Sequence, residues 1–223
     1  MSVRQDSVST GHLQHHFADL EQQRTTSELG MWVFLMTEVM FFGGMFAVYL
    51  VYRTVYYDAW AAGSHEMEFW YGTINTVVLI TSSFSMAMAV HAAQEGRRKL
   101  LITLLLVTLL FGLAFLGIKG LEYHSHWVHH QFPGPNFHFE GPDPLHVELF
   151  FVLYWVMTGF HALHVLIGIG VIAVITWMAW KGNFTRDYHN PVENTGLYWH
   201  LVDIIWIFLY PLLYLISHSG VPK

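Results

Sequence analysis

The sequence contains no cysteine and little charge. Lys, Arg, Asp and Glu make up 12% of its 223 residues, whereas 54% of the residues are hydrophobic and 17% are aromatic. The lack of cysteine excludes disulfides, thiolate metal sites and cysteine nucleophiles. A formal net charge of −6 argues against nucleic acid as a partner, because a phosphate-binding protein needs a basic face. A chain this apolar is too hydrophobic for an ordinary soluble domain.

The first 28 residues are polar throughout and lack the apolar core of a cleavable secretion signal. We therefore expect the first membrane segment to direct insertion itself. The chain divides into a polar leader at 1–28, a transmembrane domain at 29–218 and a short tail at 219–223. The motif TTSE at 25–28 fits a capping box, which would start the first helix there.

Five apolar stretches are long enough to cross a bilayer, which takes about 20 helical residues. They cover residues 31–51, 71–92, 100–118, 147–180 and 197–216. We predict an all-α integral membrane bundle of five transmembrane helices. The fourth stretch exceeds one perpendicular crossing, and its Gly159, Gly168 and Gly170 suit close helix packing.

The basic residues favour one orientation of this bundle. With the N-terminus inside, the inside segments hold seven of them, Arg4, Arg24, Arg97, Arg98, Lys99, Lys181 and Arg186, and the outside segments hold three, Arg53, Lys119 and Lys223. Cytoplasmic segments carry the excess of Lys and Arg, so this asymmetry predicts a cytoplasmic N-terminus and a C-terminus outside. A loop at 119–146, rich in His, Pro and Gly, then lies outside.

Two carboxylates and three imidazoles lie well inside the predicted spans. They belong to Glu38, Asp203, His161, His164 and His200. A lone charge in lipid costs several kcal/mol, so we expect these groups to face the bundle interior, paired or protonated. Glu38 and Asp203 lie at similar depth, about 10 Å into their spans at a rise of about 1.5 Å per residue, which would allow them to share one polar pocket.

We interpret Glu38 and the three intramembrane histidines differently. We interpret Glu38 as functional, since Ser or Asn would serve as well for packing. The histidines are either a proton relay or ligand set, or hydrogen-bonding groups that fix helix packing, and packing is the simpler interpretation.

The segment HSHWVHH offers a metal hypothesis. Its His126, His129 and His130 follow an HxxHH spacing similar to one histidine box of the membrane di-iron enzymes. Such a site needs roughly eight imidazoles from several boxes, and only one box is present. A hydrated loop is the simpler interpretation, with weak zinc or copper binding as the alternative. A heme held by two histidines is disfavoured, because no two intramembrane histidines pair on facing helices at equal depth.

Five motifs, in order along the chain, resemble subunit III of the heme-copper respiratory oxidases. They read MTEVMFFGGMFAVYL, AVHAAQEGRRK, LEYHSHW, TGFHALHVLIG and LYWHLVDIIWIFLYPLLYL, and the similarity extends from about residue 30 to residue 216. The resemblance implies an all-helical accessory subunit that binds no heme or copper and packs beside subunit I. Family members often have seven helices, and this chain resembles the five-helix form that lacks the first two.

The resemblance also implies which residues matter. It matches Glu38 to a buried carboxylate of the family, Glu122 to its EY motif, His161 and His164 to GxHxxH, His200 and Asp203 to WHxxD, and His91 and Glu95 to a polar inner turn. All of these except His91 and Glu95 would be buried and linked to protons, and none would be catalytic. A second predicted set, which suits lipid headgroups at the inner face, consists of His91, Glu95, Arg97, Arg98, Lys99 and Trp180. The His-rich insertion departs from the shorter loop of the family.

The function implied by the resemblance is support of proton uptake, oxygen delivery and subunit I stability in an oxidase that reduces oxygen to water and pumps protons. Heme and copper are expected in partner subunits, and phospholipid is the expected bound ligand. The implied partners are subunits I and II and membrane lipids, with a respiratory supercomplex as a further setting, in a bacterial-type cell membrane.

Several alternatives stay open at this point. A stand-alone proton-coupled transporter would use Glu38 and Asp203, although the chain lacks the pair of Gly/Pro-broken helices that marks a transporter site. A membrane di-iron enzyme is weakened by the missing histidine boxes. An assembly of the related nitric-oxide reductase type also stays open, and the electron donor, cytochrome c or quinol, would bind other subunits.

Overall fold

The described residues of this computed structural model are helical apart from short connections. They are residues 17–135, 137–139, 141, 143–186 and 188–216. The helices are α1 (Leu20–Val55), α2 (Tyr57–His65), α3 (Phe69–Gln94), α4 (Arg98–Val128), α5 (Pro144–Lys181) and α6 (Asn190–Tyr214). Five of these helices are long and apolar enough to cross a membrane, all except the short α2. The prediction of an all-α bundle with five spans is confirmed.

The first helix begins earlier than the sequence suggested. Asp19 caps α1, and its carboxylate accepts a hydrogen bond from the backbone N–H of Gln22 at 2.7 Å. The predicted capping box at 25–28 is wrong, because these residues lie inside α1 and the Glu28 carboxylate pairs with Arg24 at 2.7 Å. Leader residues 1–16 and the predicted tail at 219–223 lie outside the described residues.

The connection between α4 and α5 is shorter than the predicted loop at 119–146. Helix α4 continues to Val128, so residues 119–128 are helical and the prediction of a loop from residue 119 is wrong for them. Their polar side chains suggested a loop, but Lys119, Glu122 and His126 lie on the buried face of α4. The connection between α4 and α5 therefore comprises residues 129–143.

Helix α6 lies at the centre of the bundle and contacts α1, α3 and α5, while α4 packs between α3 and α5. Its Trp199 and Trp206 are fully buried. Their indole N–H groups donate to hydroxyls on α3, Trp199 to Ser82 and Trp206 to Thr76, each at 3.1 Å. In a bilayer core such interhelical hydrogen bonds replace the water that a buried indole would otherwise need.

One of the three predicted glycines allows a close helix contact. A Cβ at Gly168 would lie 2.8 Å from the Trp199 ring, and a Cβ at Gly112 on α4 would lie 2.9 Å from the same ring. A Cβ at Gly159 or Gly170 would have no described atom within 4 Å. The prediction that these two glycines allow close helix packing is therefore wrong. Trp199 thus fills the space that two glycines leave between α4, α5 and α6.

Candidate functional site: polar groups buried in the bundle

A buried ion pair lies in the half of the bundle near the α4–α5 connection. Lys119 and Glu122 are one turn apart on α4, with Nζ and Oε2 3.0 Å apart and side chains only 2% and 0% exposed. The ammonium also donates to the hydroxyls of Tyr154 at 3.1 Å and Tyr214 at 3.0 Å. Because an ammonium has three hydrogens, all three have acceptors.

The two tyrosines close this arrangement into a ring. Tyr154 and Tyr214 donate their hydroxyl protons to Glu122 Oε1 at 2.9 and 2.5 Å. Each phenol therefore accepts from Lys119 and donates to Glu122, so every polar group of the ring is satisfied without water. We call Lys119, Glu122, Tyr154 and Tyr214 the buried ion-pair ring. It joins α4, α5 and α6.

Further polar side chains lie between the ring and the α4–α5 connection. His126 Nε2 is 3.8 Å from Glu122 Oε1, which is beyond hydrogen-bond distance, and His126 Nδ1 is 2.6 Å from the Gln131 side-chain oxygen. The Gln131 amide in turn donates to Glu66 at 2.9 Å. His126 on α4 is thereby linked through Gln131 to the end of α2.

Sequence reasoning placed Glu122 correctly in the interior but misplaced its cation. Lys119 was counted among the outside basic residues, which is wrong because it is buried and paired. The KxxE spacing, which puts both groups on one helix face, was the available signal. Without Lys119, the basic asymmetry behind the predicted orientation becomes stronger.

A second pair forms where α1 meets α5. Glu38 Oε2 lies 3.0 Å from His164 Nε2, and the side chains are 17% and 14% exposed. His164 Nδ1 lies 2.7 Å from the Phe160 carbonyl oxygen, which can only accept, so Nδ1 carries a hydrogen. Nε2 then either accepts from a protonated Glu38 or donates to its carboxylate. In both cases one hydrogen lies between Glu38 Oε2 and His164 Nε2, and this hydrogen bond joins α1 to α5.

Asp203 lies elsewhere. Its residue is 2% exposed, both carboxyl oxygens are buried, and the Ser83 hydroxyl is the hydrogen-bonding group beside them. It lines a cavity of about 420 Å³ between α3 and α6, together with Ser83 and His200. The expected pocket shared by Glu38 and Asp203 is wrong, because Glu38 turns to α5 and Asp203 to α3, on different sides of α6.

The remaining intramembrane histidines have separate surroundings. His200 Nδ1 is 2.7 Å from the Ser83 hydroxyl, so it joins α6 to α3 as the packing interpretation expects. His161 is fully buried between the rings of Phe115 and Trp206, at centroid distances of 5.5 and 5.2 Å. Although His161 and His164 are three residues apart on α5, the first faces the core and the second faces α1.

The polar turn after α3 is held by its own ion pairs. Glu95 contacts Arg97 at 2.9 Å and His91 at 3.5 Å. Trp180, with 73% of its surface exposed, and the exposed Lys99 lie near the same end of the bundle.

Arg98, which was predicted to contact lipid headgroups, instead binds the end of α5. Its Nε donates to the Ala179 carbonyl at 2.9 Å, and its guanidinium also reaches the Trp180 carbonyl. These carbonyls end α5, where a cation satisfies unpaired acceptors and the helix dipole. Arg98 is therefore engaged by the protein rather than free for a headgroup.

The three histidines of the HxxHH segment do not converge. His126 turns into the bundle towards Gln131, whereas His129 Nδ1 donates to the Ser125 carbonyl at 2.8 Å. Across the described ranges, no group of three or more His, Cys, Asp or Glu side chains is placed to hold a metal ion. The weak metal-binding alternative for His126, His129 and His130 is therefore not supported by their placement.

Together these features define a polytopic helical membrane protein with two polar pairs inside the bundle, Lys119–Glu122 within α4 and Glu38–His164 between α1 and α5. The family model described as cytochrome c oxidase subunit III matches residues 4–218, and the chain belongs to this family. The resemblance found in the motifs is confirmed, and it takes the place of the transporter and di-iron alternatives.

Relatives from distant organisms carry the same description. The cytochrome c oxidase subunit 3 of Thermostichus vulcanus is 34% identical over 190 residues, which cover 85% of this chain and 87% of the relative. That of Synechocystis sp. is 35% identical over 189 residues, 84% of this chain and 74% of the relative. That of the fish Danio rerio is 30% identical over 221 residues, 94% and 76% respectively. The similarity thus extends over the whole bundle.

Proposed function

We propose that this chain is the accessory subunit III of a heme-copper terminal oxidase in a bacterial inner membrane, where it packs beside subunit I and subunit II. It supports proton uptake, oxygen delivery and the stability of subunit I, and a respiratory supercomplex is a compatible setting. The heme and copper chemistry belongs to the partner subunits. Family membership and the hydrogen-bonded Glu38–His164 pair together support this proposal.

The Glu38–His164 pair carries the proton-linked part of the proposal. A carboxylate and an imidazole 3.0 Å apart hold one exchangeable proton between them at the middle of α1. Both side chains keep some exposure, 17% and 14%, so the pair is not sealed inside the bundle. The buried ion-pair ring lacks this property, because its groups are sealed and fully satisfied.

We expect Glu38→Gln to assemble normally and to keep the heme spectra of the complex, because the amide retains the size and most of the hydrogen bonding of the carboxyl group. An amide cannot bind and release a proton, so sustained oxygen consumption should fall modestly at alkaline pH, where proton supply is scarce. The measurement is turnover of the purified complex across a pH series.

Glu148→Gln is the matched control for this variant. The Glu148 carboxylate accepts from the Gly134 backbone N–H at 2.9 Å, outside the Glu38–His164 pair. We expect its pH profile to follow the wild type. A Glu38→Gln complex with wild-type activity at every pH would reduce Glu38 to a packing role.

The proposed orientation has the N-terminus in the cytoplasm and the C-terminus outside, on the basis of the basic residues near the α3–α4 turn and the α5–α6 connection. The chain has no cysteine, so single cysteines report sidedness without background from this subunit. A cysteine replacing the exposed His129 should react with an impermeant maleimide in intact cells, and one replacing Glu95 only after permeabilisation. The opposite pattern would reverse the orientation.

Phospholipid is the proposed bound ligand at the inner face. Two cations and one aromatic ring are available to anionic headgroups there. They are the exposed Lys99, Arg97, whose side chain pairs with Glu95 but is 64% exposed, and the exposed Trp180. We expect the complex to retain phosphorus after exhaustive detergent exchange, and less of it when Arg97 and Lys99 are both replaced by Gln. Equal phosphorus in both proteins would remove these residues from the proposal.

A further inference from the structure

The Ser83 hydroxyl on α3 links the buried carboxyl group of Asp203 to the imidazole of His200. Its oxygen lies 2.7 Å from His200 Nδ1, and it is also the hydrogen-bonding group beside Asp203. Asp203 lies 13 residues after Asn190, the first residue of α6, which places it about 20 Å from the helix start at a rise of about 1.5 Å per residue. The link therefore begins near the middle of a transmembrane helix.

Two adjoining cavities meet at His200. One, of about 420 Å³, is lined by Ser83, His200 and Asp203, and the other, of about 400 Å³, is lined by Glu28, Glu193 and His200. The side chains of Glu28 and Glu193 are 41% and 17% exposed, at the end of the bundle where α6 begins. Each cavity is large enough for water, which takes about 30 Å³ per molecule in the liquid. His200 thus lies between the buried carboxyl group and that end of the bundle.

The helical period brings three ionisable side chains to one face of α6. His200 follows Glu193 by seven residues and Asp203 follows His200 by three, so all three share a face. At about 1.5 Å per residue, they lie about 10 Å and about 5 Å apart along the helix axis. Ser83 fills the shorter interval, and the cavity of about 400 Å³ fills the longer one.

The Ser83 hydroxyl has one hydrogen, so it donates to one of its two neighbours and accepts from the other. With Asp203 protonated, the carboxyl group donates to Ser83, and Ser83 donates to His200 Nδ1, whose ring carries its own hydrogen on Nε2. If both shared hydrogens move one step along the link, Asp203 becomes a carboxylate, Ser83 donates to it, and His200 becomes an imidazolium. Transfer of the Nε2 hydrogen to water then leaves a neutral His200 with its hydrogen on Nδ1.

This sequence releases one proton from Asp203 and leaves every heavy atom in place, and its reverse returns the proton. A lone carboxylate at this depth costs several kcal/mol, so the protonated carboxyl group is the resting form. Release through Ser83 and His200 is therefore transient, and reloading follows the same link.

We propose that Ser83 and His200 form a proton route between Asp203 and the end of the bundle at which α6 begins, and that Asp203 stores a proton supplied by this route. The inference deepens the proton-uptake part of the proposed function, and it rests on that function for the identification of this end as the cytoplasmic one.

Hydrogen–deuterium exchange of the Asp203 carboxyl group tests the route. The infrared C=O stretch of a protonated carboxyl group moves to lower frequency when its hydrogen is replaced by deuterium. The affinity-tagged chain, purified in mild detergent with the subunits it retains, is transferred into D₂O buffer, and subtraction of the Asp203→Asn spectrum assigns the band. We expect Ser83→Ala to slow the exchange of this band by about tenfold or more relative to the wild type.

Three further variants separate the route from packing. Ser85→Ala makes the same replacement in α3, where the Ser85 hydroxyl donates to the Leu104 carbonyl at 3.0 Å, and should exchange as the wild type does. Ser83→Thr keeps the hydroxyl and should also exchange at the wild-type rate. His200→Gln can still hydrogen-bond to Ser83 but cannot take up a proton, so it should be as slow as Ser83→Ala.

Several results would overturn the inference. They are wild-type exchange in Ser83→Ala or His200→Gln, equal slowing by Ser85→Ala, and a wild-type spectrum without a protonated Asp203 band. If Ser83→Ala does not fold, the comparison of His200→Gln with Ser83→Thr decides. The Asp203 band belongs to this chain whether or not a partner is retained. A chain that purifies without a heme-bearing subunit would therefore overturn the proposed function, while the exchange rates alone decide the route.

Discussion

Lys119→Met is expected to destabilise the folded chain by about 3–5 kcal/mol, the usual cost of removing one partner from a buried ion pair. The Glu122 side chain is fully buried, and Lys119 is the cation in hydrogen-bonding contact with it. Once that cation is gone, two phenols remain to solvate a charge that water cannot reach. Thermal unfolding is measured in mild detergent as the fraction of protein that stays monodisperse on heating. The melting temperature of Lys119→Met should be lower than that of the wild type by roughly 10 °C.

Two further variants show whether the missing charge is the cause. Lys119→Met combined with Glu122→Gln removes both charges and leaves an amide oxygen for the phenols, so most of the lost stability should return. Lys99→Met removes an exposed cation from the same helix and should change stability by less than about 0.5 kcal/mol. A Lys119→Met protein as stable as Lys99→Met would show that the ring is not a source of stability.

Gly168→Ala should be the next most damaging change, with an expected cost of about 1–3 kcal/mol from overpacking. The added Cβ would lie 2.8 Å from the Trp199 ring, which is itself fully buried and hydrogen-bonded to Ser82. The ring cannot move away without losing that bond. Melting temperature and the near-ultraviolet circular dichroism of the indole should both change.

Gly170→Ala is the control, since its Cβ would meet no described atom within 4 Å. It replaces glycine by alanine in the same helix, so the difference between the two variants isolates the contact with Trp199. Equal melting temperatures for Gly168→Ala and Gly170→Ala would contradict the packing explanation.

Hydropathy predicted the number of spans because about 20 apolar residues in sequence have one favourable arrangement in a bilayer. It could not predict where the helices end. Helix α4 continues through Lys119 and Glu122 to Val128, because those side chains find each other and two tyrosines inside the bundle. A hydropathy count treats the same residues as a hydrated loop.

Sequence reasoning found the important intramembrane groups but not their partners. Glu38 meets His164 across a separation of 126 residues, a contact that depends on how α1 and α5 are rotated against each other. The helical period shows which residues share a face, yet it does not show which neighbouring helix that face meets. For this reason we predicted one shared pocket for Glu38 and Asp203 from their similar depth, whereas the structure places them on different sides of α6.

The proposed role of this chain is that of the non-catalytic subunit III of a heme-copper oxidase. Its most direct test is purification of the affinity-tagged chain from its native membrane in mild detergent, followed by a reduced-minus-oxidised heme spectrum and metal analysis. We predict a large heme-bearing subunit in stoichiometric amount, and neither iron nor copper in stoichiometric amount on the chain after that partner is stripped away. A chain that purifies without any heme-bearing partner, or that itself holds stoichiometric iron or copper, would contradict the claim.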